Sequence, residues 1–259
     1  MKITLQTISR TTLLLLIIIM ASCVPQKKIR YFQDMAEEQD TVKSDFPNNK
    51  IKQYKIQTGD NLFIRVRSVD DQGDIAVGEK GATNYYTEAG IYLNSYSVNE
   101  QGIVEFPLIG EVYVKDLTIE EIRDKIQGLV DEYVKNTTVI VKLANFRVTL
   151  IGEFHRPGKY LVYQDDITIF QAIALAGDMT DFARRSEIVL VRLTENGSKM
   201  YTLDLNDQDI LESDYYYMMP NDILYASPLK GKQFAFSQFP YGLIISMITM
   251  VLVIAAFFR

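Results

Sequence analysis

The chain is apolar at both ends and polar between them. Leu13 to Met20 is one apolar run, ending at Ala21-Ser22-Cys23, and Phe239 to Phe258 is a second, 20 residues without a charge. At about 1.5 Å of rise per residue the second run makes a helix of about 30 Å, the hydrocarbon thickness of a bilayer, so the pattern predicts a C-terminal transmembrane helix over 239–258. The first run has signal-peptide length. Lys2 and Arg10 put positive charge ahead of it, and Ala21-Ser22 supply the small residues that a signal peptidase needs. Cys23, the one cysteine of the chain, stands where a lipoprotein precursor takes diacylglycerol on its sulfur, although Met20 replaces the Leu usual at the start of such a box. The reading is a signal peptide over 1–22 and lipidation at Cys23, with an ordinary free thiol as the alternative.

Residues 23–51 are polar and charged, without a sustained apolar period, and read as a tether. Strand signals follow. In Asn61 to Arg67, Leu62, Ile64 and Val66 fall on one face, Arg65 and Arg67 on the other. Residues 68–98, rich in Gly, Asn and Tyr, read as long hairpins or an irregular insertion, and Asn99 to Pro107 returns to strand. Thr118 and Glu121 form a capping box. Behind it Ile119, Ile122, Ile126, Leu129, Val130 and Tyr133 recur at helical spacing. A strand over Thr138 to Leu143 closes a first α+β domain, 52–144.

A second domain over 145–228 begins at once. Strands at Arg147 to Ile151 and Lys159 to Val162 flank a turn, and Thr168 with Gln171 caps a short helix that ends at Gly177. Further strands fit Ile188 to Leu193, Met200 to Leu205 and Ile223 to Ala226. This order is that of a β-grasp domain, a small sheet that buries one face against the Ile169, Phe170, Ile173 and Ala174 side of a single helix.

Charge and composition then narrow the chemistry. The formal net charge is −6, and removing Lys2 and Arg10 with the signal leaves −8, a balance that argues against nucleic acid. One cysteine allows no internal disulfide and no Cys-based metal cage. His155 is the sole histidine and lies in the turn Phe154-His155-Arg156-Pro157-Gly158, where it reads as a solvated or capping residue. The adjacent pairs Asp70-Asp71 and Asp165-Asp166 read as turn residues. No phosphate loop, metal motif or nucleophile elbow is present, so neither an enzyme nor a cofactor is expected.

Tyr54-Lys55-Ile56-Gln57-Thr58-Gly59-Asp60-Asn61-Leu62 resembles the opening of the bacterial outer-membrane polysaccharide export proteins of the Wza type. Gly102 to Gly110 resembles their next hallmark. Ile151-Gly152-Glu153-Phe154-His155-Arg156-Pro157-Gly158-Lys159-Tyr160, Ile169 to Gly177 and Thr180-Asp181-Phe182-Ala183 resemble the soluble-ligand-binding β-grasp domain that accompanies it. Each motif also has a backbone reason: Gly59, Gly110 and Gly158 suit turns needing positive φ, and Pro107 and Pro157 fix turn entry.

The resemblance implies an α+β chain made of a polysaccharide-export domain, a β-grasp domain and a C-terminal transmembrane helix. It implies a homo-oligomeric ring in the outer membrane, lipid-anchored, with its body in the periplasm. The ring exports capsular or extracellular polysaccharide with an inner-membrane co-polymerase, often a tyrosine autokinase. The alternative is a non-channel envelope lipoprotein whose β-grasp domain binds a glycan or an inner-membrane partner.

Within the last apolar run, Gly242, Ser246 and Thr249 share one helical face, expected to look into a pore or toward an adjacent helix. A lone bitopic anchor is the other reading. Pro240 suits the first helical turn. The 16 tyrosines, among them Tyr215-Tyr216-Tyr217, are read as fillers of strand faces and subunit contacts rather than as sugar-stacking sites.

Overall fold

A computed structural model describes residues 30–33, 46, 54–68, 74–75, 87–107, 109–194, 197–230, 232 and 240–257. Cys23, Asp70-Asp71 and the run Leu13 to Met20 lie outside the described residues.

The first unit is organised around β1 (Asn61–Ser68). Leu62, Ile64 and Val66 are buried, as their alternation predicts. One edge of β1 carries β2 (Asp74–Ile75) and, beyond α1 (Glu88–Leu93), β3 (Tyr96–Ser97). Next come the hairpin of β4 (Ile103–Phe106) and β5 (Gly110–Tyr113), and the helix α2 (Ile119–Asp131). The other edge of β1 pairs antiparallel with β6 (Thr137–Leu143), Leu62 opposite Leu143 and Ser68 opposite Thr137.

Helix α2 starts where the capping box places it. The Thr118 hydroxyl accepts from the Glu121 amide and the Glu121 carboxylate accepts from the Thr118 amide. Ile122, Ile126 and Val130 are fully buried. At about 1.5–3 kcal/mol for each buried side chain, this stripe is what holds the helix on the sheet. Tyr133 does not join it: the helix stops at Asp131 and Tyr133 is exposed. The helix α1 was not foreseen. Six residues carry too little periodicity to stand out, and its start is set locally by Thr87, whose hydroxyl accepts from the Gly90 amide.

The second unit comprises β7 (Arg147–Gly152), β8 (Gly158–Leu161), β9 (Ile167–Thr168), α3 (Ile169–Leu175), β10 (Ala183–Thr194), β11 (Gly197–Leu203), β12 (Tyr217–Met218) and β13 (Ile223–Pro228). A 3-10 turn at Gln208–Glu212 precedes β12. Five strands form one sheet in the order β11-β10-β13-β7-β8, in which β13 and β7 run parallel and the other neighbours antiparallel. The short pair β9 and β12 lies apart from it.

Val148, Leu150, Ile188, Leu190, Leu224 and Ala226 turn one face of the sheet into a core with Ile169, Ala172 and Ile173 of α3. The single helix gripped by one sheet is the arrangement expected from the strand order. The opposite face is also apolar. Ile151 stands beside Tyr225, which pairs with Val189, while Val191 lies between Ile223 and Met200. Ile151, Met200 and Tyr225 on this face are exposed. Leu143 packs against both cores and joins the two units.

The chain also contains α4 (Tyr241–Phe257). The Pro240 carbonyl accepts from the Leu243 and Ile244 amides and opens the helix, and among the described residues its regular part holds 17 residues although the apolar run counts 20. At 1.5 Å per residue that is about 25 Å, less than the roughly 30 Å of a hydrocarbon core. Among the described residues no helix is long and apolar enough to cross a membrane. The mixture of sheet and helix agrees with an α+β class, but the C-terminal transmembrane helix expected over 239–258 is not supported. Hydropathy counts apolar residues, whereas helix length is set by where the backbone hydrogen bonds begin and end. Gly242 to Ile254 are exposed on every side of α4.

Candidate functional site

The turn between β7 and β8 carries the motif that drew attention in the sequence. Gly152 sits at φ +93°, and a Cβ there would lie 2.1 Å from the Ala226 carbonyl oxygen, so only glycine fits. Gly59 and Gly110 also take left-handed φ, as anticipated, but Gly158 does not. The pressure for a glycine falls at Gly152 because β7 and β13 run side by side there. The buried Glu153 binds Ala226 through its amide, accepts from the Thr180 hydroxyl at 2.8 Å and pairs with Lys232 at 2.5 Å. Its carboxylate is spent on holding loops.

The same turn caps α3. Gly177 at φ +72° and Asp178 donate back to Ala174 and Ile173, a Schellman stop. Arg156 then satisfies the carbonyls left over, its amide donating to Ala176 and its guanidinium reaching Leu175 at 3.4 Å. The His155 amide donates to the Asp178 carbonyl, and its ring Nδ1 lies 3.2 Å from the same oxygen. His155 is a capping residue of a turn.

Asp178 is a meeting point. Its Oδ1 accepts from its neighbour Met179 at 2.6 Å and from the Tyr31 hydroxyl at 2.5 Å. Tyr31 is half-buried against the second core, edge-on to Phe170 at 5.8 Å, and covers the Arg185 guanidinium at 5.1 Å. Phe32 lies 4.5 Å from Phe170, and the Gln33 amide donates to the Asn206 carbonyl at 2.5 Å in a short parallel bridge with Asp207. Burial first, then the bond to Asp178, raises the Tyr31 phenol well above its usual pKa. The polar composition of 24–50 hid this contact. Two adjacent aromatics inside a charged stretch were the signal that could have found it.

Two buried constellations hold the framework. Arg192 and Asp222 form a bidentate pair, Nε 3.0 Å and Nη2 2.7 Å from the carboxylate, which also accepts from the Met219 amide. Asp222 is fully buried, and burial raises its carboxyl while Arg192 and the Met219 amide pull it down. Tyr215, stacked 4.2 Å from Tyr201, lies over Arg192 at 5.8 Å, so these tyrosines pack at the edge of the core. At the junction of the two units Asp60 accepts at one oxygen from Tyr54 and from the Gln57 amide, both at 2.8 Å. Asn145 accepts there from the Asn61 amide. Lys142 and Asp165 bridge the units at 2.7 Å on the surface, where such a pair contributes little.

Of the residues singled out in the sequence, Gly242, Ser246 and Thr249 lie along one side of α4. Ser246 donates to the Leu243 carbonyl at 2.9 Å and Thr249 to the Ile245 carbonyl at 2.8 Å, so both hydroxyls are satisfied within the helix. Among the described residues no group of His, Cys, Asp and Glu is placed to hold a metal ion.

Residues 48–144 match the family described as polysaccharide biosynthesis/export protein, and residues 147–203 match the SLBB domain. Over 170 residues the chain is 28% identical to a Ralstonia nicotianae protein described as EPS I polysaccharide export outer membrane protein EpsA, a stretch covering 60% of this chain and 42% of that protein. The chain thus spans less than half the length of this curated relative.

Proposed function

Because the chain belongs to the polysaccharide biosynthesis/export family, we propose that it is the repeating subunit of an oligomeric outer-membrane export channel for capsular or extracellular polysaccharide. In this reading the export domain occupies 52–144 and the β-grasp domain 145–228, both in the periplasm. The signal peptide 1–22 is removed, and Cys23 carries lipid. An inner-membrane co-polymerase or tyrosine autokinase delivers the polymer. The protein is a transport component and does no chemistry on its cargo.

The observation that supports this reading is apolar surface left uncovered in a single copy. α4 is apolar all round and exposed, and the outer face of the five-stranded sheet displays Ile151, Leu193, Met200 and Tyr225. Contiguous apolar surface of this kind is covered by a partner, and a homo-oligomer covers it with copies of itself. Gly242, Ser246 and Thr249 form the side of α4 on which a neighbouring helix approaches most closely, their hydroxyls already satisfied.

The mass of the full-length protein purified in mild detergent tests the proposal, together with surface polymer in a deletion strain. A defined oligomer, loss of surface polymer on deletion, and weaker assembly of a Gly242→Leu plus Ser246→Leu variant are expected. A monomer in detergent, with polymer export intact in that variant, sinks the channel and favours the non-channel lipoprotein that binds a glycan or partner.

A further inference from the structure

The segment Tyr31-Phe32-Gln33 is fastened to the second unit by three different kinds of contact. Tyr31 donates to Asp178 and stacks on Arg185, Phe32 packs on Phe170, and Gln33 makes a backbone bond to Asn206. Arg185 gives the site its need for a lid. It is only 4% exposed, it is held by the Met179 and Thr180 carbonyls at 3.3 Å, and its Nε finds no acceptor among the described residues. The face of an aromatic ring is a suitable cover for such a cation. Tyr31 and Phe32 are also the sole aromatics between Cys23 and Phe46.

We propose that Tyr31-Phe32-Gln33 is a clasp by which the chain's own N-terminal segment binds the β-grasp domain and holds the Phe170, Asp178 and Asn206–Asp207 face against the membrane surface that carries the Cys23 lipid. This rests on the lipid reading of Cys23. From Cys23 to Arg30 there are seven steps, a reach of about 25 Å at full extension. Without the clasp the next described residue that is held is Phe46, after 23 steps and about 80 Å of contour. The clasp thereby leaves a leash of seven steps, and this short contour decides how close the β-grasp domain sits.

The test uses full-length protein in proteoliposomes, with a donor dye on Asp209→Cys, an exposed position beside the Gln33 bridge, and an acceptor on lipid headgroups. Tyr31→Ala plus Phe32→Ala is expected to cut transfer by roughly twofold or more, because the contour between Cys23 and the next held residue becomes about three times longer. It should also remove the hydrogen-exchange protection of the Gln33 amide. Since that variant also uncovers Arg185, a second one inserts about ten Gly and Ser residues between Pro25 and Gln26. That insertion leaves the clasp closed and Gln33 protected, and still lowers transfer.

Mass spectrometry of the N-terminal peptide reads the lipid separately: an unmodified Cys23 sinks the lipid reading whatever Gln33 does. With Cys23 acylated, transfer unchanged in both variants, or an unprotected Gln33 amide in the parent protein, overturns the clasp. Cross-links from Tyr31 to Phe170 that join isotope-labelled and unlabelled copies overturn binding within one chain and assign the segment to a neighbour.

Discussion

Asp222→Ala removes the anion from beneath a buried cation. In the parent, the Asp222 carboxylate accepts from Arg192 Nε and Nη2 and from the Met219 amide, and neither side chain of the pair is more than a tenth exposed. After truncation Arg192 keeps the Tyr217 carbonyl at 3.2 Å and the Tyr215 ring at 5.8 Å but no anion, and the Met219 amide loses its acceptor. Removing one partner of a buried pair costs about 3–5 kcal/mol, because the other charge stays behind in a poorly polarisable surrounding. For a protein of this size each kcal/mol moves the melting temperature by about 2–4 °C, so a loss of roughly 6–20 °C is expected. Differential scanning calorimetry reads it.

The companion variant, Arg192→Leu plus Asp222→Leu, replaces both charges by apolar groups and should recover at least half of the loss. A single-variant shift below about 2 °C, or a double variant as unstable as the single one, would refute the claim that an uncompensated charge sets the cost.

Two further perturbations probe the framework. Burial raises the Asp60 carboxyl above its ordinary 3.8, against the hydrogen bonds from Gln57 and Tyr54 that lower it. A raised folded-state value contributes stability that is full below 3.8 and is lost as pH rises through the folded value. Asp60→Asn should therefore flatten the decline of stability above pH 3.8 in acid melts while its oxygen still serves Tyr54 and Gln57, whereas Asp60→Ala should cost about 1–3 kcal/mol at neutral pH. A pH profile identical in the parent and the Asn variant would dismiss this linkage. Gly152→Ala meets both a left-handed φ and the Ala226 carbonyl, and should cost about 3 kcal/mol or more. A thermal melt within 2 °C of the parent, at roughly 2–4 °C per kcal/mol, would show that β7 and β13 can part there without penalty.

How much of this was legible in the sequence depends on how far apart the interacting residues lie. The starts of α2 and α3 were readable because a capping box joins residues three apart, and both boxes form as written. The buried faces of β1 and β6 were readable because side chains alternate along a strand. His155 and Asp165 were read as turn and surface residues and stand as such. The clasp was not readable: Tyr31 finds Asp178 across 147 positions, and the Tyr31-Phe32 pair stands inside a polar, charged stretch. Arg192 and Asp222 carry no mark that distinguishes them from solvated charges until β10 and β13 come together. The glycine requirement moved from Gly158 to Gly152 for a similar reason, since it arises from the close approach of a strand that is remote in the chain.

By itself, then, the sequence determined the local elements and their apolar faces. It also carried the two motif blocks that mark the family, because these depend on neighbours a few residues away. Tertiary structure decided which strands lie parallel, where a carboxylate is buried with its arginine, and that a tyrosine of the N-terminal segment covers Arg185. Each of these is a matter of desolvation or hydrogen-bond closure between distant groups, and such energies exist only once the chain has brought those groups together.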